Sequence, residues 1–246
     1  MEFLNELQTA AFWTGLLAII WVNIILSGDN AVVIALAARS LPPRQQKQAV
    51  IWGAGAAVVL RIILTIVAVE LLRLPWLRLI GGVLLFWIAV KLMVPEDGGE
   101  DGVDSSDNLW AAIKTILIAD LVMSLDNVIA VAAVAKDSFV LLILGLAISI
   151  PLVIFGATML MKLMGRWPII ITLGAALIGY VAGEMLVTDP VVKDWVDANA
   201  AWLHWAAPAA GVVFVVAAGK WLAARAEAAS KEVVDLGEGG ETKAPH

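Results

Sequence analysis

Seven stretches of this chain are each long and apolar enough to cross a lipid bilayer, and that run limits the fold more than any other feature. A hydrocarbon core about 30 Å thick takes roughly 20 apolar residues in an α-helix. Such stretches lie near 11–37, 49–72, 76–94, 109–135, 138–161, 167–187 and 201–224. Composition agrees: 61% of the 246 residues are hydrophobic and 15% are charged, beyond the apolar half of an ordinary soluble domain. In lipid a backbone must satisfy its own polar groups, so apolar runs of this length are helices. The expected fold is an all-α membrane protein of seven transmembrane helices. Prolines 42, 43, 75, 95, 168 and 190 fall between stretches or at their ends, and Pro151 falls inside the fifth. Trp52, Trp76, Trp110, Trp167, Trp202 and Trp205 stand near ends, as interfacial tryptophans do.

Lysine and arginine set the orientation. Arg39, Arg44, Lys47, Lys91, Lys114, Lys162, Arg166, Lys220, Arg225, Lys231 and Lys243 fall on one side; Arg73, Arg78, Lys136 and Lys193 fall on the other. The richer side is cytoplasmic, which puts the N-terminus of this multi-pass protein outside and the C-terminus inside. The N-terminal "MEFLNELQTA" lacks a basic region and cleavage site, so the first stretch is expected to be an uncleaved anchor. Residues 1–224 form one transmembrane domain, 95–108 an acidic cytoplasmic loop, and 225–246 a disordered cytoplasmic tail. The net charge of −6 sits largely in that loop and tail. It carries no sign of a nucleic-acid partner. With no cysteine in the chain, disulfides, thiolate metal sites and cysteine nucleophiles are excluded.

The chain also repeats itself. Ser27-Gly28-Asp29-Asn30 matches Ser124-Leu125-Asp126-Asn127, and both continue in small and β-branched residues, "AVVIALAA" against "VIAVAAVA". Asn23 falls on Asp120 and Gly53 on Gly145. Further along, "GGVLLFWIAVK" falls on "GAALIGYVAGE", pairing Lys91 with Glu184. Repeat one spans 10–94, repeat two 109–187, and the helix at 201–224 is extra. A three-helix copy is odd in number, so the second enters the membrane upside down. That is the inverted-repeat plan of secondary transporters, whose site lies near the midplane between copies.

Asp29 lies a few residues past the middle of its stretch, and so does Asp126, but the two stretches run in opposite directions. The carboxylates therefore bracket the midplane, with Asn23 and Asp120 closer to it. An aspartate there costs about 2.5–3.5 kcal/mol on insertion scales, so several together imply a compensating cation. Gly28 lets the first helix open beside Asp29 and release backbone carbonyls; Leu125 gives the second copy no such opening. The expected metal ligands are Asp29, Asn30, Asp120, Asp126, Asn127, Asn23 and Ser124. Carboxylate, amide, hydroxyl and carbonyl oxygens suit Mn²⁺, Ca²⁺ or Mg²⁺. His204 and His246 stand at a helix end and at the last residue, so Zn²⁺ and Cu⁺ fit poorly. Met123 offers one soft ligand that would favour Mn²⁺, although methionine in a membrane helix usually packs.

"LSGDNAVVIALAAR" and "VMSLDNVIAVAAVA" on this seven-helix plan resemble the TerC family of integral membrane proteins, within the LysE transporter superfamily, over residues 10 to 224. The resemblance implies bacterial Mn²⁺ efflux, protecting against Mn²⁺ excess and supplying metal to exported enzymes. It carries the motif aspartates over as metal ligands, Asp29 and Asp126 here. The family name comes from tellurium resistance, which these residues do not explain.

Plainer readings stand beside these. Arg61 lies in mid-helix and must pair with something, so a structural ion pair with Asp29 or Asp126 is the plainer reading of those acids. Asn30 and Asn127 also suit interhelical hydrogen bonds, and Lys91 and Glu184 suit snorkelling. The leading function is an exporter working by alternating access, with Mn²⁺ as substrate and H⁺ as coupling ion. The alternative is a membrane assembly factor beside the secretion machinery, with its acidic motifs structural; a homo-oligomer fits either. No organic cofactor is expected. Without a buried histidine, a Ser-His pair or a metalloprotease motif, neither is an enzyme.

Overall fold

A computed structural model describes residues 10–26, 28–71, 74–94, 105–135 and 139–238. Within the helices, the side chains of 10, 11, 22–26, 66–71, 105–107, 125–135, 139–142 and 229–238 lie outside that description. Nine helices and no strand are found among the described residues: α1 Ala10–Leu26, α2 Gly28–Ala38, α3 Pro43–Leu71, α4 Leu77–Met93, α5 Ser105–Ala135, α6 Phe139–Arg166, α7 Ile169–Thr188, α8 Lys193–Asn199 and α9 Leu203–Glu238. Four described stretches are long and apolar enough to cross a membrane: Pro43–Thr65, Ile143–Arg166, Ile169–Thr188 and Leu203–Ala228. Trp52, Trp76, Trp110, Trp167, Trp202 and Trp205 are all exposed. Leu17, Ile63, Trp87, Phe155 and Phe214 are exposed too, an apolar exterior that suits a protein whose solvent is lipid.

The first predicted stretch holds two described helices, α1 and α2, and Ser27 between them lies outside the described residues. The second Ser-x-Asp-Asn stands within one helix, since α5 runs through residues 124–127, as expected where leucine replaces glycine. Pro43 opens α3, at a position where the missing N–H would have had no intrahelical partner. The expected tail differs. Helix α9 runs on to Glu238, because "AARAEAASKE" is rich in alanine, arginine, glutamate and lysine, all strong helix formers. Residues 1–9, 95–104 and 239–246, which carry the N-terminal anchor reading, most of the acidic loop and the end of the tail, lie outside the described residues.

Helices pack in reciprocal pairs. Helix α3 lies on α5 and α1 on α6, while α7 lies between α4 and α9. A Cβ added at Gly53 of α3 would stand 2.8 Å from Ile116 Cδ1 of α5, and one at Gly145 of α6 would meet Ile19 of α1. On α7, Gly179 and Gly183 face Gly211 and Ala207 of α9, backbone against backbone. Small residues four apart permit that approach where lipid offers no hydrophobic drive between helices.

At one end of the bundle a buried carboxylate organises the turn between helices. Asp189, fully buried after α7, accepts N–H bonds from Trp76 at 3.3 Å, Arg78 and Leu79 at 3.1 Å, and Val191 at 2.9 Å. The Arg78 and Leu79 donors belong to the first turn of α4, which no intrahelical carbonyl can serve. The same contacts hold Trp76 at φ 70°, a left-handed backbone uncommon for a bulky residue. Asp189→Ala is expected to cost about 2 kcal/mol, the upper range for a lost helix cap. Asp189→Asn, which keeps one acceptor oxygen, should fall between. Thermal unfolding of the purified protein in detergent reads both.

Candidate cation-binding site

Helix α2 carries the first motif into the centre of the protein. It buries Asn30, Ala31 and every residue from Val33 to Ala38, touching α5, α6 and α7 on different sides. A helix this apolar around its whole circumference belongs inside. Asp29 is half-buried, and its carboxylate accepts the Asn30 backbone N–H at 2.8 Å. The Asn30 side chain is 3% exposed, yet neither its oxygen nor its nitrogen has a hydrogen-bond partner among the described residues. Most buried amides are satisfied, and leaving one unsatisfied costs about 1–3 kcal/mol. Such a group beside a carboxylate is ready to coordinate.

Across from it stands a closed polar triangle. Arg61 of α3 pairs with Asp120 of α5 through Nη2 and Oδ1 at 2.6 Å, and its Nε donates to Ser124 Oγ at 3.0 Å. The Ser124 hydroxyl in turn donates to Asp120 Oδ2 at 3.1 Å. Arg61, Asp120 and Ser124 are 3%, 6% and 0% exposed. Asp120 and Ser124, four residues apart, share one face of α5, and that face meets α3 at Arg61. Asp29 on α2 and Asp120 on α5 stand on helices that touch one another.

A structural pair of Arg61 with Asp29 or Asp126 is the plainer reading of the sequence; the structure pairs Arg61 with Asp120, and the Asp126 side chain lies outside the description. Ser124, expected as a ligand, serves as the bridge between the members of that pair. Among the described residues no three histidines or acids converge on one point. The side chains of Asn23, Asp126 and Asn127 lie outside the description. Met123 is buried in an apolar cluster with Met164, Ile178 and Met185, which is packing. His204 bonds Asp197 at 2.6 Å near the start of α9, outside the polar centre. Sequence reasoning missed Asp189 as an organising group; its one signal was its place between an apolar helix and Pro190, an Asp-Pro turn.

Comparison with known proteins settles the family. The model of the integral membrane protein TerC family matches residues 8–227. This chain belongs to the TerC family. It is an integral membrane protein, similar to the uncharacterized membrane protein YjbE of Bacillus subtilis (strain 168), 45% identical over 71% of this chain and 79% of that one. The uncharacterized membrane protein YkoY of the same organism is 24% identical over 90% of this chain and 75% of its own. The UPF0053 inner membrane protein YoaE of Escherichia coli (strain K12) is 28% identical over 52% of this chain and 28% of its own. No solved structure matches this TerC chain.

Proposed function

We propose that this TerC chain exports a divalent cation, Mn²⁺ foremost, from the cytoplasm across a bacterial inner membrane by alternating access. It does so as a carrier and not an enzyme, with seven spans in two inverted three-helix repeats plus the C-terminal helix. The observation that carries the reading is the polar centre itself: the Asn30 amide beside Asp29, without a hydrogen-bond partner among the described residues, in apolar helices that also bury the Arg61–Asp120 pair. Reciprocal packing supports the repeat. Ile19 and Ile116, against which Gly145 and Gly53 pack, are related by the same offset of 97 residues that relates Asp29 to Asp126.

Charge counting favours a divalent cargo. With Asp120 held by Arg61, Asp29 and Asp126 would supply the two charged ligands, two charges for two. The oxygens of Asn30 and Asn127 would complete a hard ligand set with no thiolate or imidazole; Asn23 would lie beside it. As the cargo leaves, protons compete for the vacated carboxylates, because metal ligands must be deprotonated to bind. Proton entry is therefore the proposed coupling.

The alternative, an assembly factor beside the secretion machinery, draws on the Arg61–Asp120 pair, since a satisfied ion pair asks for no metal. Flux into liposomes carrying the purified protein separates the two. Mn²⁺ should move, compete better than Mg²⁺, leave Zn²⁺ and Cu⁺ behind, and slow as pH falls. Absence of Mn²⁺ movement under an imposed Mn²⁺ gradient would favour the assembly factor. Movement without proton flux or pH dependence would leave a uniporter.

A further inference from the structure

Two helix discontinuities stand side by side next to the polar centre. Helix α6 carries Pro151 inside it, and a proline has no N–H to offer the carbonyl four residues back, here Ala147. One turn earlier, buried Ser149 donates its hydroxyl to the Gly145 carbonyl at 2.8 Å, a back-bond that also bends helices. Pro151 itself is exposed, so its ring fills no gap in the core. Gly145 packs on Ile19 of α1, and a Cβ added at Gly156 would stand 3.7 Å from that of Ala31 in α2. Counted along the helices from these two contacts, Pro151 is level with residues 25 and 26, the end of α1. Helix α2 begins at Gly28, where an added Cβ would meet nothing, so packing does not call for that glycine.

The repeat-related pair of helices is built the other way. Leu125 stands where the first motif has Gly28, and the match of Gly53 to Gly145 puts Val59 where α6 has Pro151. Helices α3 and α5 run unbroken through both positions, and Arg61 fastens them together at Asp120 and Ser124. Beyond the joint, Ile34 of α2 and Ala157 of α6 share an apolar cluster with Val50 and Ala54 of α3 and Ile113 of α5. Along α2, that cluster lies between the polar centre and the end of the bundle where α2 and α6 finish. The plain account is a static kink, since membrane helices tolerate proline where neighbours satisfy the freed groups. A static kink in α6 does not call for a break at the same level in the helix packed against it.

We infer that α2 and residues 152–166 of α6 swing as one unit about Pro151 and the start of α2, against a fixed α3–α5 pair. The swing opens and closes the apolar seal beside the polar centre, and a few residues at helix ends or breaks absorb the backbone change, as hinges do. The inference rests on the proposed alternating access and makes the two repeats unequal: one pair of helices is jointed and the other is fastened.

The chain has no cysteine, so nitroxide labels can be placed in pairs on the full-length protein in liposomes and their distances read by pulsed electron resonance without Mn²⁺. Trp52→Cys with Gly165→Cys labels α3 and the swinging half of α6; Ile63→Cys with Ile143→Cys labels α3 and the half before the proline. All four positions are exposed. The first pair should give two distances and the second pair one. Pro151→Ala restores the missing N–H, so it should leave the protein at least as thermally stable and reduce the first pair to one distance. Mn²⁺ flux should fall at least about tenfold in Pro151→Ala, while Pro151→Gly, with its looser backbone, keeps most of it. One distance for the first pair in the otherwise unsubstituted protein, two surviving in Pro151→Ala, or wild-type flux in Pro151→Ala would each overturn the hinge. Two distances that collapse as expected, in a protein that moves no Mn²⁺, would uphold the hinge and reject the transport reading.

Discussion

Asp29→Asn and Asp126→Asn should each abolish Mn²⁺ efflux while the protein still accumulates and purifies normally. The amide keeps the shape of the carboxylate and removes its charge. Groups that merely orient metal ligands cost about 10–100-fold in affinity when removed, so loss of a charged ligand should exceed about 100-fold. Asp29 is half-buried and, among the described residues, its carboxylate accepts the adjacent backbone N–H alone, so the substitution removes little else. Wild-type flux in either variant would move that residue out of the site. Asp120→Asn addresses a different group: it breaks the ion pair with Arg61, and its phenotype should include lost stability as well as lost transport.

Breaking that pair from the other side should have the largest effect on the fold. Arg61→Met leaves Asp120 buried and charged, with the Ser124 hydroxyl as its remaining hydrogen-bond donor among the described residues. Removing one partner of a buried ion pair typically costs about 3–5 kcal/mol. Replacing both, as Arg61→Met with Asp120→Leu, should restore most of the loss, since an apolar pair of similar volume leaves no stranded charge. Denaturant unfolding in detergent across the double-mutant cycle reads the difference. A single Arg61→Met variant as stable as wild type would mean that Asp120 is already compensated by something else, and the charge count for a divalent cargo would fail with it. The doubly substituted protein loses one positive and one negative charge, so the net charge left for the ion is unchanged and transport can be assayed without the confounding loss of stability.

Much of this was legible from the residues because lipid simplifies the problem. Apolar length alone located the helices, and doublings such as Pro42–Pro43 located their ends. The paired motifs located the polar centre. The partner of Arg61 was not legible: choosing among Asp29, Asp120 and Asp126 needs the rotation of α3 against α5, which packing at Gly53 and Ile116 sets. Nor was Asp189 legible, because its value lies in capping a helix more than a hundred residues earlier in the chain. The centrality of α2 follows in hindsight from "AVVIALAA", which has no polar face to show to solvent or to a neighbour.

Anomalous scattering from crystals of the protein grown with Mn²⁺ bears most directly on the central claim. The account predicts one dominant manganese peak within coordination distance of the carboxylates of Asp29 and Asp126 and of the Asn30 amide oxygen, with Arg61 still on Asp120. A peak elsewhere, or an empty polar centre at Mn²⁺ concentrations that support transport, would contradict it.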